Sequence, residues 1–126
     1  MLTQSLVSVV FEAEEPIEKP VAVTINKETG KLKKCVNVDE FVGIAMPGME
    51  PDVTTLRTKP TTGPVVVIHK GVAKVTVTPG TYKKGMPLTI DNNGILKSAG
   101  DGEKTVAYAI EETVVEDGET LTVFIV

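Results

Sequence analysis

The stretch Val72-Ala73-Lys74-Val75-Thr76-Val77-Thr78 alternates apolar and polar residues along its length. Successive side chains of a β-strand point to opposite faces of the sheet, so a period of two predicts a half-buried strand. The stretch ends at Pro79-Gly80, a pair that is typical of turns. This segment therefore predicts a protein built on β-sheet rather than on helices.

Similar apolar and β-branched runs occur on both sides of this stretch, with short turn signals between them. They are residues 6–11, 21–25, 31–38, 41–46, 64–69, 87–90, 95–98, 105–111 and 119–126. The run 64–69 ends at Lys70-Gly71, which predicts a break before Val72. No window shows the 3.6-residue period of a helix. We expect an all-β fold, a compact small barrel or sandwich of short antiparallel strands with little or no helix.

A weak internal repeat relates the two halves of the chain. The segment Gly30-Lys31-Leu32-Lys33 resembles Gly94-Ile95-Leu96-Lys97, and Gly43-Ile44-Ala45 falls at the place of Ala107-Tyr108-Ala109. Gly30 precedes Gly94 by the same interval as Ala45 precedes Ala109. Two similar β halves explain the shared interval, and a chance likeness between valine-rich hairpins is the alternative.

The chain has 126 residues, which is one ordinary domain, and we expect residues 1–126 to form a single β domain. Residues 1–10 are either an N-terminal arm or the first strand. Residues 47–64 contain four prolines and two glycines, which predicts a long loop. Long loops in compact domains are often binding loops.

Charge and composition argue against two classes of partner. The net charge is −4, so the surface should repel nucleic acid and anionic membranes, and we expect neither as a partner. Residues 1–6 lack the basic and apolar regions of a signal peptide, and no apolar run approaches the roughly 20 residues of a membrane helix. We expect a soluble protein made in the cytoplasm.

The sequence offers little for catalysis, and we expect no enzyme, no cofactor and no metal site. His69 and Cys35 are the single histidine and the single cysteine, whereas a zinc site needs three or four such ligands. Nothing around either residue resembles a nucleophile turn. The carboxylates lie in polar stretches and turns, which predicts solvated side chains. The segment Asp91-Asn92-Asn93-Gly94 is better explained as a hairpin turn than as a calcium loop.

The second half carries a resemblance to a known family. The residues that carry it are Val66-Val67-Ile68-His69-Lys70-Gly71-Val72-Ala73-Lys74-Val75, Lys84-Gly85-Met86-Pro87-Leu88, Asp91-Asn92-Asn93-Gly94-Ile95-Leu96, Val106-Ala107-Tyr108-Ala109-Ile110-Glu111, and the close at Asp117-Gly118 and residues 121–126. Together they resemble the small capsid cement, or decoration, proteins of tailed bacteriophages. Ala107 stands where glycine is commoner in that family. The resemblance covers about half of the chain well and the first half loosely.

The resemblance implies a virion protein that binds the outer surface of a phage head and stabilises the shell by bridging capsid subunits. It implies the major capsid protein as partner and a homo-oligomer, with a trimer favoured. The candidate contact residues lie in two places. They are Leu2, Leu6, Val7 and Val9 at the N-terminus, and Met46 and Met49 around the long loop. A first strand of the barrel, and methionines folded back over the core, are the alternatives for these two groups.

Two other functions fit the same sequence. One is a small β-barrel module that binds a peptide or another subunit, although the scarcity of aromatic residues argues against a proline-peptide groove. The other is a different virion component, such as a head fibre or a tail part. Copy number separates these hypotheses, because a cement protein is present in hundreds of copies and a tail component in few.

Overall fold

The computed structural model describes residues 7–47, 49–52, 54, 57–60, 65–91 and 94–126. Within these residues the chain forms short β-strands and one turn of 3-10 helix, Val38–Glu40. The strands are β1 (Val7–Phe11), β2 (Val21–Ile25), β3 (Leu32–Lys34), β4 (Gly43–Ala45), β5 (Met49–Asp52), β6 (Arg57–Pro60), β7 (Val65–Thr76), β8 (Gly80–Tyr82), β9 (Pro87–Ile90), β10 (Leu96–Ser98), β11 (Ala107–Ala109), β12 (Thr113–Val115) and β13 (Thr120–Ile125). The all-β class with little helix is therefore confirmed.

Most of the strands belong to one antiparallel sheet. Its strand order is β10-β9-β11-β13-β7-β4-β2-β3, and β1 also pairs with β7. The sheet curls into a half-barrel. Strands β8 and β12 form one small sheet, and β5 and β6 form another.

Strand β7 links the two sides of the main sheet, and here the sequence-based expectation of a break is wrong. Its first part pairs with β1 and β4, and its second part, from Gly71 to Thr76, pairs with β13. The strand continues through Lys70 and Gly71, because Lys70 pairs with Val7 and Gly71 pairs with Ile125. Gly71 has a φ of +100°, which a residue without a Cβ adopts at little cost. Glycine therefore allows one continuous strand to serve both halves.

The two halves of the sheet repeat each other strand for strand. Strand β2 pairs with both β3 and β4, as β9 pairs with both β10 and β11. The isolated parallel bridge Ala13–Leu32 recurs as Val77–Leu96, and both partners are displaced along the chain by the interval that separates Gly30 from Gly94. Strand β1 corresponds to the second part of β7, and the first part of β7 corresponds to β13. The internal repeat is confirmed, and we call residues 7–70 the first half and residues 71–126 the second half.

The two halves of the sheet pack against each other. Valines and other side chains on one face of the first-half sheet, such as Val23 and Val67, form their own cluster. On its other face Ala22, Ile44 and Ile68 join a second cluster with the inward side chains of the second half. The sheet of the first half therefore has buried side chains on both faces.

Candidate functional site

The contact residues predicted from the sequence fall in four places. Leu2 and Leu6 lie outside the described residues. Val7 and Val9 lie in β1, which pairs along the first part of β7, so residues 7–11 are a strand of the main sheet. Met46 follows the end of β4 and is half-buried against the core, as the alternative interpretation expected. Met49 begins β5.

The structure brings two of these places, β1 and Met46, together across β7. Val67 pairs with Val9 of β1 on one side and with Ala45 of β4 on the other. The next residue back, Val66, pairs with Val10, and its carbonyl accepts a hydrogen bond of 2.8 Å from the N–H of Met46. The N-terminal strand and the start of the predicted loop are therefore neighbours.

Val66 is the exposed apolar residue at the centre of this region. Its side chain is 42% exposed, although it lies in an apolar run. Sequence reasoning missed it, because the unbroken run 65–68 does not show which members face outward. The alternation of Val72 and Lys74 indicates only the face on which Val66 lies, because Ile68 on the same face is buried.

Part of the predicted loop is a hairpin. Strands β5 and β6 pair from Met49 with Pro60 to Asp52 with Arg57, and they form a sheet of their own. Both contain a proline, which is typical of strands at a sheet edge. Thr54, between the two strands, is exposed.

This hairpin is where the first half departs from the repeat. In the first half Ala45 of β4 pairs with Val67, and at the equivalent place of the second half Ala109 of β11 pairs with Val123. The connection from Ala45 to Val67 contains the hairpin, and it is longer than the connection from Ala109 to Val123. We call Val66, Met46 and β1 together the Val66 surface; the β5–β6 hairpin begins three residues after Met46.

The cysteine and the carboxylates that the sequence offers for chemistry have roles in the structure of the fold. Cys35 is fully buried, and its thiol donates to the carbonyl of Asn37 at 3.1 Å. Burial raises the pKa of this thiol, whereas reactive cysteines have a lowered pKa. Glu14 accepts hydrogen bonds from Asn26 and Thr29, and so holds the turn between β2 and β3.

The described part of the chain contains no group of three or more His, Cys, Asp or Glu side chains that could hold a metal ion. It also contains no helix long and apolar enough to cross a membrane. No protein-family model matches the sequence, and no curated protein is significantly similar to it.

Proposed function

We propose that this protein is a capsid decoration protein, which binds the outer surface of a phage head and stabilises the shell by bridging subunits of the major capsid protein. The observation that carries the proposal is the Val66 surface. It combines the strand β1 with an exposed valine, and the hairpin that interrupts the internal repeat begins three residues after Met46. The residues that resemble the decoration proteins of tailed phages lie in β7, β9, β10, β11 and β13, the strands on which the second half is built.

The Val66 surface has the chemistry of a protein contact. Val66 offers exposed apolar area beside the half-buried thioether of Met46, and methionine adapts its shape to a partner. Within the described residues β1 pairs only with β7, and strand addition at its second edge is one way in which another chain could bind. Apolar contact and strand addition together support binding to a protein.

The doubled sheet suits a cement protein. It gives a rigid body in which both halves are joined by one continuous strand, β7. A rigid body that contacts two capsid subunits adds interface at their junction, and a standard interface buries roughly 1,600 Å² in total. Many copies on one shell add such interfaces at many junctions, so the stabilisation of the shell is multivalent.

Co-sedimentation with mature, emptied heads of the encoding phage tests the proposal, with bound protein counted as copies per major capsid protein. We expect saturation at a simple ratio. We expect deletion of residues 48–62 to reduce binding and to leave the fold intact. The deletion joins β4 to β7 by a short turn next to the Met46–Val66 hydrogen bond, where the two strands are already neighbours.

A point substitution with a matched control localises the contact. Val66→Lys places a charge on the Val66 surface, and Val114→Lys places one on β12, where the valine is 69% exposed. We expect the first variant to lower the number of copies per head and the second to bind as the unmodified protein does. Equal binding by both variants would remove the Val66 surface from the contact. Failure of the unmodified protein to bind heads would overturn the decoration function and favour the interaction-module alternative.

A further inference from the structure

A cavity lies at the contact between the two halves of the molecule. Its volume is about 500 Å³, which falls within the roughly 300–1,000 Å³ of small-molecule sites. The first half lines it with residues 15–19, with the first residue of β2 and with the last residue of β3. The second half lines it with the last residue of β7 and with Ile95, which precedes β10. Both halves are therefore needed to form this cavity.

The last residue of β7, Thr76, brings a buried hydroxyl to the cavity. It is 2% exposed, and its hydroxyl is the one buried side-chain polar atom of the described residues that has no hydrogen-bond partner. Its neighbours Val75 and Val77 point into the core, so the Thr76 side chain points to the opposite face of the strand. Because burial of an unpartnered hydroxyl destabilises a fold, such a group in a native structure indicates a partner that binds there.

The internal repeat does not account for this buried hydroxyl. The residue that corresponds to Thr76 in the first half is Glu12, which is exposed. The N–H of Thr76 donates to the carbonyl of Pro20 at 2.7 Å, and this bond holds the segment before β2 beside the end of β7. The hydroxyl therefore belongs to the contact between the halves and not to the repeated strand.

Four charged side chains line the cavity without neutralising one another. They are Glu15, Glu18, Lys19 and Lys34. None of them forms an ion pair or a side-chain hydrogen bond within the described residues, although ion pairs of 3.8 Å occur elsewhere on the surface. Two cationic and two anionic groups around one cavity are complementary to a ligand that carries one charge of each sign.

We propose that this cavity binds a free α-amino acid with an apolar side chain. The carboxylate of the ligand accepts a hydrogen bond from the hydroxyl of Thr76 and pairs with the half-buried Lys34. The ammonium group faces the two glutamates, and the apolar side chain packs on Val21 and Ile95. Because the ligand contacts both halves, it binds the folded state alone and stabilises it.

An NMR titration of the ¹⁵N-labelled chain with L-leucine tests the proposal. Two analogues keep the apolar side chain, since 4-methylpentanoate lacks the ammonium group and 3-methylbutylamine lacks the carboxylate. We expect L-leucine to shift the amide signals of Val21, Lys34, Thr76 and Ile95 with a Kd in the millimolar range, and to bind about tenfold more tightly than either analogue. No saturable shift up to roughly 50 mM, or equal binding by an analogue, would overturn the proposal.

Variants of the charged side chains test the orientation of the ligand. Lys34→Met should weaken the binding of L-leucine by about tenfold, and Lys33→Met, at the exposed preceding residue outside the cavity, should leave it unchanged. Glu15→Gln combined with Glu18→Gln should weaken the binding of L-leucine and strengthen that of 4-methylpentanoate, because it removes the repulsion of a carboxylate. Equal effects of the two lysine variants would contradict the proposed site.

Thr76→Val distinguishes a hydroxyl that binds the ligand from one that a permanently bound water satisfies. Valine has the shape of threonine without the hydroxyl, so the Tm of the unliganded protein should stay unchanged or rise, by up to about 8 °C. The binding of L-leucine should weaken by about tenfold in the same variant. A lower Tm of the unliganded variant would show that a water satisfies the hydroxyl and would overturn the proposal. Thermal unfolding with and without L-leucine measures both effects.

Discussion

A substitution in the turn between β9 and β10 would measure how tightly the two halves pack against each other. Gly94 lies in this turn with a φ of +78°, and its N–H donates to the carbonyl of Cys35 at 2.9 Å. A Cβ added to Gly94 would collide with the carbonyl oxygen of Ala22 and would lie 3.2 Å from the Cβ of Val21. Gly94→Ala therefore introduces two costs, a strained backbone and a clash between the halves.

The repeat supplies a matched control for this substitution. Gly30 is the corresponding residue of the first half, with a φ of +73°, and no atom would lie within 4 Å of an added Cβ. Gly30→Ala therefore carries the backbone strain alone, about 1–2 kcal/mol. Gly94→Ala carries the same strain and an overpacking cost of about 1–3 kcal/mol. We expect the second substitution to be more destabilising by about 1–3 kcal/mol.

Thermal and urea unfolding of the two variants measure this difference. In a domain of this size a loss of about 1 kcal/mol lowers the Tm by about 4 °C. We expect a fall of roughly 4–8 °C for Gly30→Ala and of roughly 8–20 °C for Gly94→Ala. Equal losses would refute the reasoning, because they would show that the turn moves away from Ala22 at no cost and that the halves do not pack closely there.

Three further predictions follow from the fold. Tyr82→Phe should lower the free energy of unfolding in urea by about 1–2 kcal/mol, because the buried hydroxyl donates to the carbonyl of Thr78 at 2.6 Å. Tyr108→Phe, at an exposed site, is the control and should cause no measurable loss. Equal losses in the two variants would contradict this prediction. The thiol of Cys35 should resist Ellman's reagent until the protein unfolds. Because burial raises the pKa of Cys35, the folded state keeps the proton that the unfolded state loses, so stability should fall as the pH rises above about 9, and less steeply in Cys35→Ser. The ends of β1 and β13 pair with adjacent residues of β7, so a circular permutant can join β13 to β1 through two glycines and begin at Gly71. We expect this permutant to fold with the native circular dichroism spectrum. A molten or insoluble permutant would show that an unbroken β7 is required.

The candidate contact was only partly visible in the sequence. The long interval 47–64 was recognisable from its prolines, and Met46 and Met49 lie around its first turn signals. Its hairpin was not recognisable, because prolines in β5 and β6 argue against strands unless those strands lie at an edge. The exposure of Val66 could not be predicted, because a purely apolar run has no alternation of apolar and polar residues. Its exposure depends instead on whether another part of the molecule covers β7 at that point.

The sequence by itself determined the strands of the main sheet, with β7 read as two, the turns between them and the constant interval of the repeat, but not β5, β6, β8 and β12. The strands and turns depend on residues close together in the chain, such as the alternation from Val72 onward and the glycines that end the turns. Only the tertiary structure decided that one strand serves both halves and that one half covers the other. Ile44 and Tyr108 occupy equivalent positions in similar apolar rows, yet one is buried and the other is exposed. Local pattern places a side chain on a face of a sheet, but its burial depends on distant residues that pack, or do not pack, against that face.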